Sequence, residues 1–305
     1  NRRKADLAKA DASDYRKELE FVSLVQSKHL KSAPTWAHRA WVVRKARKVS
    51  TASAWKVVLK GELEACQNAA QRYPRCYNAW SYRTEVCTYL DQDLIEKERL
   101  RIHEWLPKHV SDHSALVYLQ TLVQKADPST FVEELLLSNA LVVLYPGHDA
   151  LWCHQRSLAH HWLTTIARAK DIWCLRRALC DIEPASEEDV DKIAQCGVSN
   201  LAKCGEDMAS PEASAAQMLV QIKVALACAH DFTCSRAAMQ QRCALGYLLY
   251  VVQRLARSCG ISMPLPRTLA FRMPGAAPDT LEWSTTRSRW LSVVMNTLTR
   301  VSSGS

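Results

Sequence analysis

A tryptophan motif that recurs at intervals constrains the fold of this 305-residue chain more than any other feature. Trp36-Ala37-His38-Arg39 and Trp80-Ser81-Tyr82-Arg83 are two copies, and Trp152-Cys153-His154-Gln155-Arg156 is a third with one extra residue before its arginine. The tryptophans lie 44 and 72 residues apart, and 72 is twice 36. Leu116-Val117-Tyr118-Leu119, halfway through the longer gap, keeps only the aromatic residue. A fixed interval of this size predicts an array of helical repeats.

Each tryptophan motif starts a predicted helix after a short break, and an amphipathic run precedes the break. In residues 54–72, apolar side chains recur at spacings of three and four, as one face of a helix requires. No run shows the period-two alternation of a strand between hairpin turns. The sequence therefore predicts an all-α fold, a right-handed α-α superhelix of helical hairpins. The predicted helices are 13–30, one containing Trp36, 54–72, one from Trp80 to Leu90, 93–106, 113–125, 130–144, 149–167, 169–181, one beginning at 187–189, 212–230, 235–257 and 281–299.

The strength of the repeat pattern divides the chain into two predicted parts. Residues 1–167 contain the repeats, and the first repeat is truncated, because Asn1-Arg2-Arg3-Lys4 is similar to the segment after an earlier repeat tryptophan. Residues 168–305 are predicted to be a C-terminal helical extension that completes the solenoid. Residues 260–279 hold four prolines and two glycines, which predicts an extended loop.

Twelve cysteines are scattered singly along apolar helical faces, and the sequence contains no Cys-x-x-Cys pair. This pattern favours buried thiols in a reducing compartment over a disulfide scaffold or a metal site within this chain. No stretch reaches 18 uninterrupted apolar residues, so a membrane-spanning helix is not predicted. We expect a cytoplasmic location. The chain does not begin with methionine, so we interpret it as a fragment.

The formal charge of +9 is compatible with nucleic acid, an acidic membrane or an anionic substrate. The densest basic run, Arg44 to Lys48, lacks interleaved aromatic residues and is typical of a solvated helix end. We therefore expect no nucleic-acid partner.

Because the motif residues recur at the same spacing, we expect them to have structural roles. Trp36, Trp80 and Trp152 are expected to anchor the core between successive helices. The residues two positions later, His38, Tyr82 and His154, should be buried with hydrogen-bond partners. The motif arginines, Arg39, Arg83 and Arg156, are expected to bond loop carbonyls or acidic residues of the previous layer. His113 and His148, which precede repeat helices, are expected to cap turns, although contact with a partner is an alternative.

The motif resembles the α-subunit repeat of the protein prenyltransferases, in which Asn-Tyr stands three or four residues before Trp-x-His-Arg. The likeness lies in Arg72 to Arg83, His109 to Ser114 and Tyr145 to His154, and it is specific over residues 1–160. It implies a superhelix that clasps a β subunit. Most closely, it implies the α subunit of a geranylgeranyltransferase, which helps to transfer a geranylgeranyl group from its diphosphate to a cysteine of a target protein.

The resemblance also implies which residues act on the diphosphate. The family places a lysine five residues before one tryptophan and a tyrosine with a polar neighbour three residues before the next. These positions are Lys31 and Tyr77, as catalytic residues, with Asn78 and the basic Arg75 as substrate-binding residues. Such donors lower the barrier by stabilising charge that develops on the leaving diphosphate. Ser32-Ala33 replaces the family's Asn-Tyr, and Asn78 replaces a frequent histidine. Alternatively, Lys31 is a solvated surface residue and Tyr77 packs between helices.

The resemblance implies no cofactor in this chain, because the family places the zinc ion and the lipid pocket in the β subunit. Zinc lowers the pKa of a thiol and presents the nucleophilic thiolate. The implied partners are a prenyltransferase β subunit, specifically that of Rab geranylgeranyltransferase, a prenyl diphosphate and a protein substrate with a C-terminal cysteine. Two alternatives stay open, a non-catalytic helical-repeat scaffold and the α subunit of a farnesyl- or Rab geranylgeranyltransferase.

Overall fold

The computed structural model describes residues 11–73, 75–127, 130–179, 182–199, 211–230, 237–259, 261 and 281–303. All regular elements in these ranges are helices, which confirms the predicted all-α fold. A 3-10 turn, Leu106–Lys108, and a π-helical turn, Trp162–Ile166, continue two of them. The α-helices are α1 Ala12–Lys28, α2 Ala33–Val49, α3 Ala52–Arg72, α4 Tyr77–Cys87, α5 Gln92–Trp105, α6 His113–Lys125, α7 Phe131–Leu144, α8 Asp149–His161, α9 Ala169–Ala178, α10 Glu187–Ser199, α11 Pro211–His230, α12 Ala237–Ser258 and α13 Leu281–Ser303.

The helix boundaries follow local capping chemistry. Asp11, Thr51 and Asp91 precede α1, α3 and α5, and each side-chain oxygen accepts a hydrogen bond from a backbone N–H in the first turn. These bonds satisfy donors that have no partner inside the helix. The predicted helix 149–167 was wrong at its end, because α8 ends at His161 and the π-helical turn follows.

The chain divides into two compact units, residues 1–126 and 127–305. The first contains three helical hairpins, α1–α2, α3–α4 and α5–α6, and the second helices of successive hairpins pack against each other. The core contains apolar and aromatic side chains from both helices of a hairpin, as in the cluster that α1, α2, α3 and α4 share. The predicted repeat region, 1–167, was defined by where the sequence motif recurs, whereas these units are defined by compactness. The extent of the repeats therefore stays a prediction.

The second unit has its own core, formed mainly by α7, α8, α11 and α12. Helix α12 packs on both α8 and α11, while α10 packs on α7. The truncated first repeat at residues 1–4 lies outside the described residues. The predicted loop 260–279 also lies outside them, except for residue 261. Among the described helices, none is both long and apolar enough to cross a membrane.

Candidate functional site

The motif tryptophans are core anchors, as the sequence predicts. Trp36, Trp80 and Trp152 are all buried, and each indole N–H donates to a protein acceptor. Within the first unit, the Trp36 ring packs on Tyr82 at 5.4 Å and the Trp80 ring packs on Tyr118 at 5.8 Å. Each tryptophan thus contacts the aromatic residue of the following repeat, which fixes the spacing between neighbouring hairpins.

The core also contains a series of buried glutamates, which we did not predict from the sequence. Glu18 bonds His38 at 2.8 Å, Glu62 accepts a hydrogen bond from the Tyr82 hydroxyl, and Glu98 accepts one from Tyr118 at 3.0 Å. In every case the glutamate stands 20 residues before its partner. The next residue at this spacing is Glu134, and both it and His154 are buried.

Arg39 and Arg83 each bind one glutamate of this series. Arg39 donates to both oxygens of Glu62 at 2.5 and 2.9 Å, and Arg83 forms an ion pair with Glu98 at 2.6 Å. Burial alone would lower the pKa of each guanidinium, but the facing glutamate raises it above its ordinary value. The same environments act on the phenols, because burial and the neighbouring glutamate raise the pKa of Tyr82 and of Tyr118.

These ion pairs correct the prediction made for the arginines. Glu62 and Glu98 belong to the following hairpin, not to the previous layer. Only neutral partners come from the preceding helices, and they include Gln26 for Arg39 and Gln67 for Arg83. Each arginine therefore bonds a carboxylate later in the chain, because that carboxylate lies on the first helix of the next hairpin.

The third motif copy departs from the other two. Gln155, not Arg156, stands three residues after its tryptophan, and it is buried with its amide on Asn139 at 3.1 Å. Arg156 instead donates to the Cys153 sulfur at 2.8 Å, so the predicted bond to an acidic residue or loop carbonyl is wrong among its described contacts. In the copy at Leu116, the arginine position is occupied by Leu119, so the series of arginine–glutamate ion pairs does not continue there.

The turns between the hairpin helices of the first unit share one geometry. The N–H of Ser32 donates to the carbonyl of His29 at 3.1 Å. Cys76 and Asp112 make the same bond to Tyr73 and His109, at 3.1 and 2.8 Å. These turns lie at one edge of the unit, just before the motif tryptophans or their equivalent.

Polar side chains of the second turn contact the first turn directly. The Asn78 amide donates to the Lys31 carbonyl at 3.1 Å, and the Arg72 guanidinium donates to the Ser27 carbonyl at 3.2 Å. The Lys31 ammonium lies 4.9 Å from the centre of the Tyr73 ring. The turns before Trp36 and Trp80 are therefore neighbours in the structure.

Five exposed cations line this edge, and we call them the basic turn edge. Their members occupy two recurring positions, the third residue of the turn and the last helical residue before it, which in the third hairpin ends the 3-10 turn. They are Lys28, Lys31, Arg72, Arg75 and Lys108. Asp112 is the one acidic residue within the three turns, and it is buried, where it caps α6 and accepts the Trp80 N–H. An anion at this edge would meet several positive groups and no exposed carboxylate of the turns.

The predicted site residues all lie at this edge, although their roles stay predictions. Tyr77 is 71% exposed and makes no hydrogen bond among the described residues, so its hydroxyl can donate to a ligand. Arg75 is exposed and has φ of 63°, a left-handed conformation that favours glycine. Asn78 has its amide directed to the Lys31 carbonyl. Sequence reasoning missed Lys28, Arg72 and Lys108, whose repeat spacing matches that of Lys31 and Arg75.

The capping prediction for the turn histidines is wrong. Asp112, rather than His113, caps α6 by accepting from the N–H groups of Ser114 and Ala115. His148 occupies the N-cap position of α8, but its side chain makes no capping bond. A carboxylate can accept two N–H groups at once, whereas a neutral imidazole offers a single acceptor nitrogen. Within the described part of the chain, no group of three or more possible metal ligands comes together.

Comparison with known proteins supports the resemblance noted from the sequence. A sequence model of the protein prenyltransferase α-subunit repeat matches residues 59–90. This region spans the end of α3, the second turn, α4 and the Trp80 motif. It therefore includes Tyr77, Arg75 and Asn78 of the candidate site.

Full-length relatives extend the likeness over about half of the chain. Protein prenyltransferase alpha subunit repeat-containing protein 1 of Danio rerio is 29% identical, over 48% of this chain and 47% of the relative. The human protein of the same name is 30% identical, over 48% of this chain and 51% of its own length. Protein prenyltransferase alpha subunit repeat-containing protein 1-B of Xenopus laevis is 28% identical, over 47% of this chain and 46% of the relative. The chain thus spans about half the length of the relatives it matches.

Proposed function

We propose that this chain is the α-type subunit of a heterodimeric protein prenyltransferase. Together with a β subunit, it transfers a geranylgeranyl group from geranylgeranyl diphosphate to a cysteine of a target protein. The repeat match at residues 59–90 and the prenyltransferase α-subunit-like relatives support this assignment. The observation that carries it is the hydrogen bond from Asn78 to the Lys31 carbonyl, because it links the two turns on which we propose that the diphosphate binds.

The chemistry of this edge fits a leaving diphosphate. Breaking the carbon–oxygen bond leaves the electron pair on diphosphate, so negative charge grows there in the transition state. Lys31 supplies a positive charge and Tyr77 a hydroxyl donor, while Arg75 adds a second cation at the same turn position. Groups already held in place stabilise this charge without the cost of reorganising water.

The remaining parts of the active site are assigned to the partner. In this proposal the β subunit, shared with Rab geranylgeranyltransferase, holds the zinc ion and the lipid pocket. The acceptor is a cytosolic protein with a C-terminal cysteine. The chain described here contributes the basic turn edge and no metal ligand.

One observation favours a second candidate, a non-catalytic helical-repeat scaffold. Asn78 uses its amide to hold the first turn, and the Lys31 ammonium lies against the Tyr73 ring. These contacts are also what a purely structural turn would show. A functional experiment must therefore separate the two.

Co-expression with β subunits provides that test. The chain is expressed with the β subunit of farnesyltransferase, of type I geranylgeranyltransferase or of Rab geranylgeranyltransferase, and copurification is measured. Transfer of labelled geranylgeranyl from its diphosphate to a protein with a C-terminal cysteine is then assayed. We expect a 1:1 complex with the Rab enzyme's β subunit and transfer activity that neither subunit has alone. A stable chain that pairs with none of the three would support the scaffold instead.

A further inference from the structure

A groove of about 630 Å³ opens between α3 and α5 in the first unit. Its volume lies within the range of about 300–1,000 Å³ that is usual for ligand pockets. On α3 the groove is lined by Gln67, Asn68 and Gln71, which recur at helical spacing along one stripe. The facing wall comes from α5 and from the 3-10 turn after it, including Trp105 and Lys108.

Several lining groups have no protein partner. Asn68, Gln71 and Lys108 make no hydrogen bond or ion pair with any described residue. Trp105 is only 7% exposed, and its buried indole N–H finds no acceptor within the described structure. Its ring is held in place by stacking on His109, with ring centres 3.6 Å apart. The Trp105 ring therefore forms a fixed part of the groove wall.

The charges of the groove decide which class of ligand it fits. Glu64 and Glu104 line it together with Arg101 and Lys108, so the four formal charges cancel. A polyanion such as a nucleic acid or a diphosphate would meet both carboxylates. The carboxamides, in contrast, each offer both a donor and an acceptor, and each residue of a peptide backbone presents the same pair.

We propose that the α3–α5 groove binds an extended peptide segment of a partner protein, with a carboxylate of that segment at Lys108. From Glu64 to Gln71 the helix rises about 10 Å. An extended chain advances about 3.3 Å per residue, so the groove takes three to four residues. The exposed carboxamides of Asn68 and Gln71 bond the backbone, and the Trp105 ring packs beside it. The groove shares Lys108 with the basic turn edge but contains none of Lys31, Arg75, Tyr77 and Asn78. Peptide binding can therefore be measured without transferase activity.

Peptide pools with two different ends test the proposal on the full chain. The probes are randomised N-acetylated hexapeptides, either with a free C-terminal carboxylate or with a C-terminal amide. The chain carries ¹⁵N-labelled tryptophan, and the spectrum of Trp105→Phe assigns the Trp105 indole resonance. Titration with the free-carboxylate pool should shift this resonance, because the Trp105 ring lines the groove, and the shift should saturate. The tightest binders are then isolated from the pool. Each selected peptide is synthesised in two forms, one with a free C-terminal carboxylate and one with a C-terminal amide.

Three variants separate backbone binding from charge. Asn68→Ala and Gln71→Ala should each weaken a selected peptide about three- to tenfold, whichever end it carries, because one neutral hydrogen bond is lost. Lys108→Ala should weaken only the carboxylate form and leave the amide form unchanged. Lys60→Ala, an exposed lysine on α3 outside the groove, is the matched control and should leave both unchanged.

Three results would overturn the proposal. The Trp105 resonance could stay unshifted with both pools at millimolar concentration, while all variants keep the wild-type circular dichroism spectrum. Acetate alone could reproduce the full shift, which would reduce the site to an anion contact. Equal losses in the Lys60→Ala control and in the groove variants would place peptide binding elsewhere on the chain.

Discussion

Replacing Glu98 tests the interior of the first unit most severely. Its carboxylate is buried, and it contacts Arg83 at 2.6 and 2.8 Å, the Tyr118 hydroxyl at 3.0 Å and Arg101 at 3.1 Å. Arg83 has no exposed surface. In Glu98→Ala its charge stays buried with only the Gln67 oxygen and two flanking aromatic rings nearby.

The expected loss follows from these contacts. Removing one partner of a buried ion pair costs about 3–5 kcal/mol. The Tyr118 hydroxyl also loses its acceptor, which costs about 1 kcal/mol or more. Glu98→Ala should therefore lower the free energy of unfolding by at least about 4 kcal/mol. Glu98→Gln keeps the volume and one acceptor oxygen but also leaves the Arg83 charge unpaired, so its cost should be smaller than that of Glu98→Ala and still well above that of a surface variant.

The double variant Arg83→Met with Glu98→Leu separates the pair itself from the stranded charge. It replaces both charges by apolar groups, so it should cost much less than the sum of the single variants. Urea unfolding followed by far-UV circular dichroism measures each value, and an unchanged m-value shows that the same transition is compared. Lys97→Ala, which breaks an exposed pair with Asp93, is the control and should cost about 0.5 kcal/mol or less.

This reasoning would be refuted by two results. The first is a Glu98→Ala variant within about 1 kcal/mol of the parent chain, since that outcome contradicts a stranded buried charge. The second is strict additivity in the double variant, because groups in direct contact should couple.

Three further predictions concern the same core and its turns. Burial and Glu62 hold the pKa of Tyr82 well above its usual value, so the folded form keeps a proton that the unfolded form loses above about pH 10. Unfolding free energy should then fall by about 1.4 kcal/mol per pH unit for this group, and Tyr82→Phe should flatten the fall in urea titrations at pH 10–11. Trp80→Ala should cost about 3–5 kcal/mol in the same assay, whereas the half-exposed Trp173→Ala should cost under about 0.5 kcal/mol. Arg75→Gly should be close to neutral, because relief of a left-handed conformation offsets glycine's entropy, while Arg75→Val should destabilise measurably in thermal melts.

The motif tryptophans show how much of the fold the sequence makes predictable. A large apolar residue at a fixed interval has one economical use, which is to fill the space between repeats. The period predicted the hairpins, and local signals predicted several ends closely, as for α6 at 113–125. The π-helical turn after α8 could not be foreseen, because nothing in its composition differs from a continuing helix.

The buried glutamates show what the sequence hid. Glu18, Glu62, Glu98 and Glu134 are separated by 44, 36 and 36 residues, the same intervals as the motif tryptophans and Leu116. This spacing was visible, but an acidic residue in an amphipathic helix is usually on the solvated face. For Glu62 and Glu98, only the tertiary contact with an arginine of another hairpin shows that the carboxylate lies inside.

The candidate site was predictable in part for a similar reason. Lys31 and Tyr77 came from a resemblance to motifs, and their turns do meet in space. Lys28, Arg72 and Lys108 were missed, because an isolated cation at a helix end is common and also suits the helix dipole. Their shared position in the repeat becomes informative only once the structure shows that the turns lie side by side at one edge.

The central claim is that the basic turn edge acts on a prenyl diphosphate, and single-turnover kinetics of Lys31→Ala test it most directly. The variant is assembled with the β subunit, and one round of geranylgeranyl transfer is followed with enzyme in excess. The rate should fall about tenfold to a thousandfold, as expected when a preorganised donor is lost. Assembly and melting temperature should match the parent, and Lys60→Ala should transfer at the parent rate. An unchanged rate for Lys31→Ala in an intact heterodimer would contradict the account and leave Lys31 a solvated surface residue.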